Sequence, residues 1–167
     1  MNITYCLECA APLSKESETR YVCVNGHKYY NNSNTGCILI FMNPQHEVLY
    51  SQRARDPHKG KFDFPGGFLN YGEDPYKAAV REAKEEMNLE LDVRNLLLIE
   101  ATYAMYDIND AVCDFVFLCR DWQGIPVAAD DVAALAWKPI EFMLSPEFAW
   151  PFPYLYNRLH AIARNHL

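Results

Sequence analysis

Glu82, Glu85 and Glu86 stand at i, i+3 and i+4 within PYKAAVREAKEEMN, a run rich in helix formers. Those offsets put three carboxylates on one helix face, where like charges repel and cost helix stability. A divalent cation between them turns that cost into ligation, because hard ions such as Mg²⁺ take carboxylate oxygens together with substrate phosphates. A bare Glu-x-x-Glu-Glu is more often a solvated acidic face, here with Lys77 and Lys84 as partners. The context favours a site: a glycine turn at Pro65-Gly66-Gly67, a further carboxylate at Glu73, and Arg81 beside the cluster. A second ligand set lies upstream. Cys6-x2-Cys9 presents two thiolates and Cys23-x3-His27 follows after 13 residues. That pattern fits a tetrahedral structural zinc with three sulfurs and one nitrogen. Residues 1–30 have little apolar periodicity and need such a staple.

These groups need elements to hold them. Asp74 is a good N-cap and Pro75 a good first helical residue, so the helix begins there. Asn88 tolerates the left-handed conformation and can end it where glycine usually does. Ala78, Ala79, Ala83 and Met87 form a face able to pack closely on a sheet. Upstream, GCILIFMN reads as a buried strand. A turn at Asn43-Pro44-Gln45-His46 leads to a second strand, EVLYSQR, and the two suggest a hairpin. KFDF is a short strand. LELDVRNLLLIEATYAMY holds one or two more, VCDFVFLCR and ALAWKPI one each. In the tail, Leu155, Leu159, Ile162 and Leu167 fall at helical spacing. The order is mixed α/β.

Composition bounds the rest. The chain has 167 residues, 15 Lys+Arg against 22 Asp+Glu, and is half hydrophobic. Disorder throughout is excluded, and the net charge of -7 argues against general nucleic-acid binding. A small phosphate substrate remains compatible where a metal supplies positive charge. With no apolar run of signal or membrane-span length, a reducing cytoplasm is the expectation, and paired cysteines become metal ligands in place of disulfides. Cys37, Cys113 and Cys119 lie in apolar strand runs and read as small core residues.

The segment Gly67, then Glu73, then Arg81-Glu82-Ala83-Lys84-Glu85-Glu86-Met87-Asn88-Leu89 resembles the Nudix signature. All spacings match; Ala83 is a small aliphatic residue and Asn88 stands at the final glycine. The lead-in KFDFPGGFLNYGED is also similar to that family's. The resemblance implies an α/β/α sandwich around a mixed sheet and hydrolysis of a nucleoside diphosphate linked to another group, with Mg²⁺ or Mn²⁺. It further implies that Glu82, Glu85, Glu86 and the Gly67 carbonyl bind metal, that one glutamate polarises the attacking water, and that Arg81 and Glu73 pair to hold the loop. Residues 1–32 resemble the zinc ribbon that precedes some Nudix domains, including NADH pyrophosphatases, with His27 in place of a fourth cysteine. Residues 33–167 are then the hydrolase domain. A nucleotide-sensing or protein-binding module on the same fold is the alternative, which three clustered glutamates disfavour.

Substrate contacts are less legible. Arg53 and Arg55 could reach phosphates or sit in a solvated loop, and His58 and Lys59 are weaker candidates of the same kind. Tyr106 lies 17 residues after Leu89, where dinucleoside-polyphosphate hydrolases of the family often carry a tyrosine. Asp130 and Asp131 read as a cap. Trp150-Pro151-Phe152-Pro153 reads as a turn into the last helix. The expected partners are a small nucleotide, no membrane, and a second copy docked through exposed apolar tail residues.

Overall fold

The computed structural model describes residues 4–107 and 110–165. Three short strands come first: β1 (Leu13–Lys15), β2 (Arg20–Cys23) and β3 (Lys28–Tyr30), which form an antiparallel sheet of their own. Then follow β4 (Asn34–Phe41), β5 (Val48–Arg53), β6 (Phe62–Asp63), β7 (Gly66–Phe68), α1 (Pro75–Met87), β8 (Leu96–Asp107), β9 (Asp110–Cys119), β10 (Val132–Lys138) and α2 (Pro153–Arg164). The central sheet has the order β7-β4-β9-β8, with β4 and β9 parallel and the other pairs antiparallel. A second sheet, β10-β5-β6, is antiparallel.

The continuous apolar run in β4 has a simple cause, since both of its faces are covered. Cys37, Leu39 and Phe41 pack with Ala78, Ala79, Ala83 and Met87 of α1. Ile38 and Ile40 pack on the other side with Leu155, Leu159 and Ile162 of α2 and with Tyr50 and Phe64. One helix on each side of a mixed sheet is the expected sandwich. The four alanine and methionine positions of α1 are fully buried, so this helix sits close to the sheet.

Two expectations fail here for physical reasons. β4 and β5 do not form a hairpin; they lie in different sheets, joined by a single Met42–Val48 bridge. The Asn43 side chain accepts from the N–H groups of Gln45 and Glu47, which turns the chain out of the first sheet. Of the tail residues at helical spacing, Leu155, Leu159 and Ile162 are buried in the protein's own core and so are not exposed for a second copy, while Leu167 lies outside the described residues. Among the described residues no helix is long and apolar enough to cross a membrane.

Candidate active site

Helix α1 starts and stops as its caps dictate. Asp74 accepts from the N–H groups of Tyr76 and Lys77 at 2.9 and 3.4 Å, and Asn88 closes the helix at φ 55°. Its C-terminal carbonyls are satisfied from outside: Val127 N–H donates to Met87 and Ala129 N–H to Glu86. This docking brings Asp130 and Asp131 beside the glutamates. Neither accepts a backbone N–H as a cap; both line a cavity of about 270 Å³ together with Glu82, Glu86, Gly66 and Gly67. A bulge between Val132 and Ala134 follows at once, bending β10 at the cavity rim.

Two glycines let β7 approach the helix. Gly66 has φ +138°, and a Cβ there would lie 2.1 Å from the Cys37 carbonyl oxygen. Its N–H donates to Glu86 Oε2 at 2.8 Å. A Cβ on Gly67 would stand 2.6 Å from Glu82 Oε1, so a side chain at 67 and the observed Glu82 carboxylate exclude each other.

Arg81 ties the loop to the cluster. It meets both carboxylate oxygens of Glu73 at 2.8 Å, Glu82 at 2.6 Å, Glu85 at 2.9 Å and the Phe68 carbonyl at 3.0 Å. The paired guanidinium holds Glu73 down at about 2. Thus the Arg81–Glu73 pair spans from the loop to the helix, the pairing that the resemblance implies.

The remaining acids are short of positive charge. Glu86 is buried, and burial raises its carboxyl well above the usual range; the Gly66 N–H opposes this, while Asp131, Glu82 and Asp63 add to it. Burial also raises Glu82, against the pull of Arg81. Asp63 is pushed up to about 7 and Asp114 to about 6, again by burial. Of these acids, Glu82 and Glu86 converge with Glu85 around a single guanidinium, that of Arg81, and such an oxygen-donor set fits a hard divalent cation. Glu85 is exposed and sits at the mouth of this set.

The cavity continues into an aromatic wall that the sequence reading identified only in part. Tyr106 stacks on Trp150 at 4.8 Å and 19°, with Phe68 edge-on to Tyr106 at 5.4 Å and His58 edge-on to Trp150 at 4.8 Å. The 150–153 segment is indeed the entry to α2, yet Trp150 and Phe152 also line the cavity. Arg53 lies over Trp150 at 4.8 Å and donates to Tyr106 Oη (2.7 Å), the Pro57 carbonyl (2.7 Å) and Asp63 (3.4 Å). All three of its nitrogens are engaged, so it braces the wall. Arg55 is exposed and pairs with Asp130 at 3.2 Å, and Lys59 is exposed outside the cavity lining.

Asp63 and Asp114 were missed. Asp114 carried a signal: with Val112, Val116 and Leu118 it falls on one face of β9 by the period of two, a polar residue among inward positions. Cys37 and Cys119 are buried as expected, whereas Cys113 is exposed. It shares their face of the sheet but lies at the end of β9 that α1 does not cover.

Upstream, the ligand atoms of Cys6, Cys9, Cys23 and His27 all lie within 4.8 Å of one another. Cys9 and Cys23 Sγ are 3.8 Å apart, as far as two sulfurs at about 2.3 Å from a tetrahedral zinc would be. His27 turns Nδ1 to Cys6 Sγ at 3.3 Å and Nε2 to Glu8 Oε2 at 3.4 Å, the outer carboxylate that orients a ligating imidazole. This donor set fits zinc.

The model of the NUDIX domain matches residues 32–159. The chain belongs to the Nudix family. It is 41% identical over 89 residues to the 8-oxo-dGTP diphosphatase of Escherichia coli (52% of this chain, 66% of that one). It is 44% identical over 85 residues to the ADP-ribose pyrophosphatase of Methanocaldococcus jannaschii (51% and 50%). It is 30% identical over 113 residues to the human 8-oxo-dGDP phosphatase NUDT18 (65% and 33%). The chain thus spans a third to two thirds of the length of these Nudix relatives. A Nudix hydrolase structure from Nitrosomonas europaea superposes over 98% of this chain and 92% of its own, TM-score 0.63, at 21% identity. That likeness in fold includes most of the Cys/His segment. The Nudix domain of NrtR from Shewanella oneidensis, solved with ADP-ribose, covers 79% of this chain and 89% of its own (TM-score 0.65, 16% identity).

Proposed function

We propose that this Nudix protein is a pyrophosphohydrolase that uses Mg²⁺ or Mn²⁺ to split a nucleoside diphosphate linked to a further group. The observation that carries it is the convergence of Glu82, Glu86 and the Gly66-Gly67 turn on one end of a cavity whose other end is aromatic. Phosphates and metal belong at the first end, a planar base at the second. Bound metal would neutralise the pyrophosphate and make a coordinated water acidic enough to attack. Glu82, Glu85, Glu86 and the Gly67 carbonyl would hold it. Arg81 fixes Glu82 and Glu85 in place and ties both to the loop through Glu73. The Gly66 N–H fixes Oε2 of Glu86, and with the metal bound this carboxylate would be placed to ligate it or to accept a proton from its water. Asp130 and Asp131 add negative potential at the same end, and Arg53 stiffens the aromatic end.

Cys6, Cys9, Cys23 and His27 are proposed to hold a structural Zn²⁺, making residues 1–32 a ribbon in front of a hydrolase domain at 33–167. Six unpaired thiols support a reducing compartment such as the cytoplasm. The test is a panel of NADH, ADP-ribose, dinucleoside polyphosphates and nucleoside triphosphates, each with Mg²⁺, followed by phosphate-product analysis. Turnover of at least one is expected. Tight calorimetric binding without turnover of any would favour a nucleotide sensor, and elemental analysis near one zinc per chain is expected.

A further inference from the structure

The base end of the cavity contains one acceptor that the hydrolytic chemistry leaves unused. Asp114 accepts no hydrogen bond from any described residue, although burial has removed most of its water. It stands in a row across the central sheet, Phe68–Gly36–Asp114–Thr102. Gly36 makes the row possible: a Cβ there would lie 2.2 Å from Asp114 Oδ1, so the carboxylate occupies the volume of the absent side chain. Thr102, directly opposite, has a buried Oγ1 that is also without a partner. Four residues beyond Thr102 on β8, Tyr106 stacks on Trp150, and the two supply an aromatic surface in the same cavity as Asp114. Asp63, a further carboxyl lining this cavity, is already occupied by Arg53 and the Phe64 N–H. Asp114 is therefore a carboxylate left free for an occupant of the aromatic slot.

An ionised carboxylate is acceptor-only and takes two donors side by side. Among the nucleobases, guanine alone offers that on its pairing edge, with an amide N–H next to an amino group. Adenine and cytosine present a donor beside an acceptor, and uracil a single N–H between two carbonyls. We propose that Asp114 is the specificity residue of this cavity and that it selects a guanine-type base held against Tyr106 and Trp150. The inference rests on the reading of the cavity as a nucleotide site, and it goes beyond it by naming the base.

Inosine nucleotides lack only the amino group of guanosine, so they isolate the proposed contact. With Mg²⁺ at neutral pH, wild-type kcat/KM should favour GTP over ITP by about 10- to 100-fold, the loss expected for a hydrogen bond to a charged group. ATP should fall with or below ITP. Asp114→Asn, which sets an amide donor against the guanine donors, should bring GTP and ITP within about three-fold of each other by lowering GTP. Wild-type values for GTP and ITP within about three-fold, or a variant that keeps the preference, would overturn the proposal. Should the variant not fold, as judged by circular dichroism, calorimetric Kd values of wild type for GDP and IDP decide in the same way. Selective guanosine binding with no hydrolysis of any nucleotide would sink the hydrolase reading and leave this one standing. Mg²⁺-dependent hydrolysis without base preference would do the reverse.

Discussion

Replacing Gly67 by alanine probes how closely strand and helix must approach. The new Cβ would lie 2.6, 2.7 and 2.8 Å from the three atoms of the Glu82 carboxyl group. Ordinary contact begins near 3.4 Å, so the carboxylate must retreat by about 0.6–0.8 Å, close to 1 Å. Its 2.6 Å bond to Arg81 Nη1 cannot survive that shift unchanged, and Arg81 in turn holds Glu85, Glu73 and the Phe68 carbonyl. A displacement of about 1 Å in a reacting constellation costs on the order of 100-fold in rate. Stability moves the other way or hardly at all: position 67 needs no left-handed backbone, and alanine reduces unfolded-chain entropy by about 0.4–1 kcal/mol. The expected result is kcat/KM down about 100-fold, a raised Mg²⁺ requirement and a Tm within a few degrees of wild type. The assay is steady-state hydrolysis of the best substrate across a Mg²⁺ titration, beside thermal unfolding. Activity within about three-fold of wild type would refute the placement of Glu82 as a positioned ligand.

Arg81→Lys loses the bidentate grip on Glu73 and should cost about 1–3 kcal/mol of stability with at least tenfold in kcat, read by denaturant melts and initial rates. Without added divalent metal, stability should fall as pH rises from about 5 to 7.5. Asp63, Asp114, Glu82 and Glu86 all titrate above their unfolded values, so the folded state holds more protons in that window and loses that advantage on passing through it. Mg²⁺ should raise Tm more at the upper end, and a metal-free Tm that climbs with pH would contradict this. Glu8→Gln should weaken zinc retention in chelator competition by about tenfold, at unchanged zinc stoichiometry in excess metal. Asn88→Gly should raise Tm by about 2–4 °C with unaltered kinetics, since glycine adopts φ 55° without strain.

The helix that carries the glutamate cluster was readable residue by residue. Asp74, Pro75, the glutamate spacing and Asn88 are local signals, and local signals govern caps and faces. That Cys6, Cys9, Cys23 and His27 come together was equally legible, because their spacing constrains a small element that has little core of its own. What escaped was non-local. Trp150 is a turn residue by its neighbours and a cavity wall only because it stacks on Tyr106 of β8, far from it in the chain. Asp131 looks like a loop cap until Val127 and Ala129 dock on the end of α1. Arg53 read as either a phosphate contact or a solvated loop residue, since nothing in its own segment foretells Tyr106, 53 residues on, as its partner. Cys113 read as core because sequence cannot say where the covering helix ends.

The buried glutamate at the centre of the cluster offers the most direct test of metal-dependent hydrolysis at this site. Glu86→Gln keeps an oxygen for the Gly66 N–H and removes a poorly solvated charge, so the fold should be at least as stable as wild type. Measured with saturating Mg²⁺ and the best substrate of the panel, kcat should fall by about 1000-fold or more while Tm holds or rises. A Glu86→Gln protein with near-wild-type hydrolysis would contradict the assignment of this carboxylate cluster as the reacting centre.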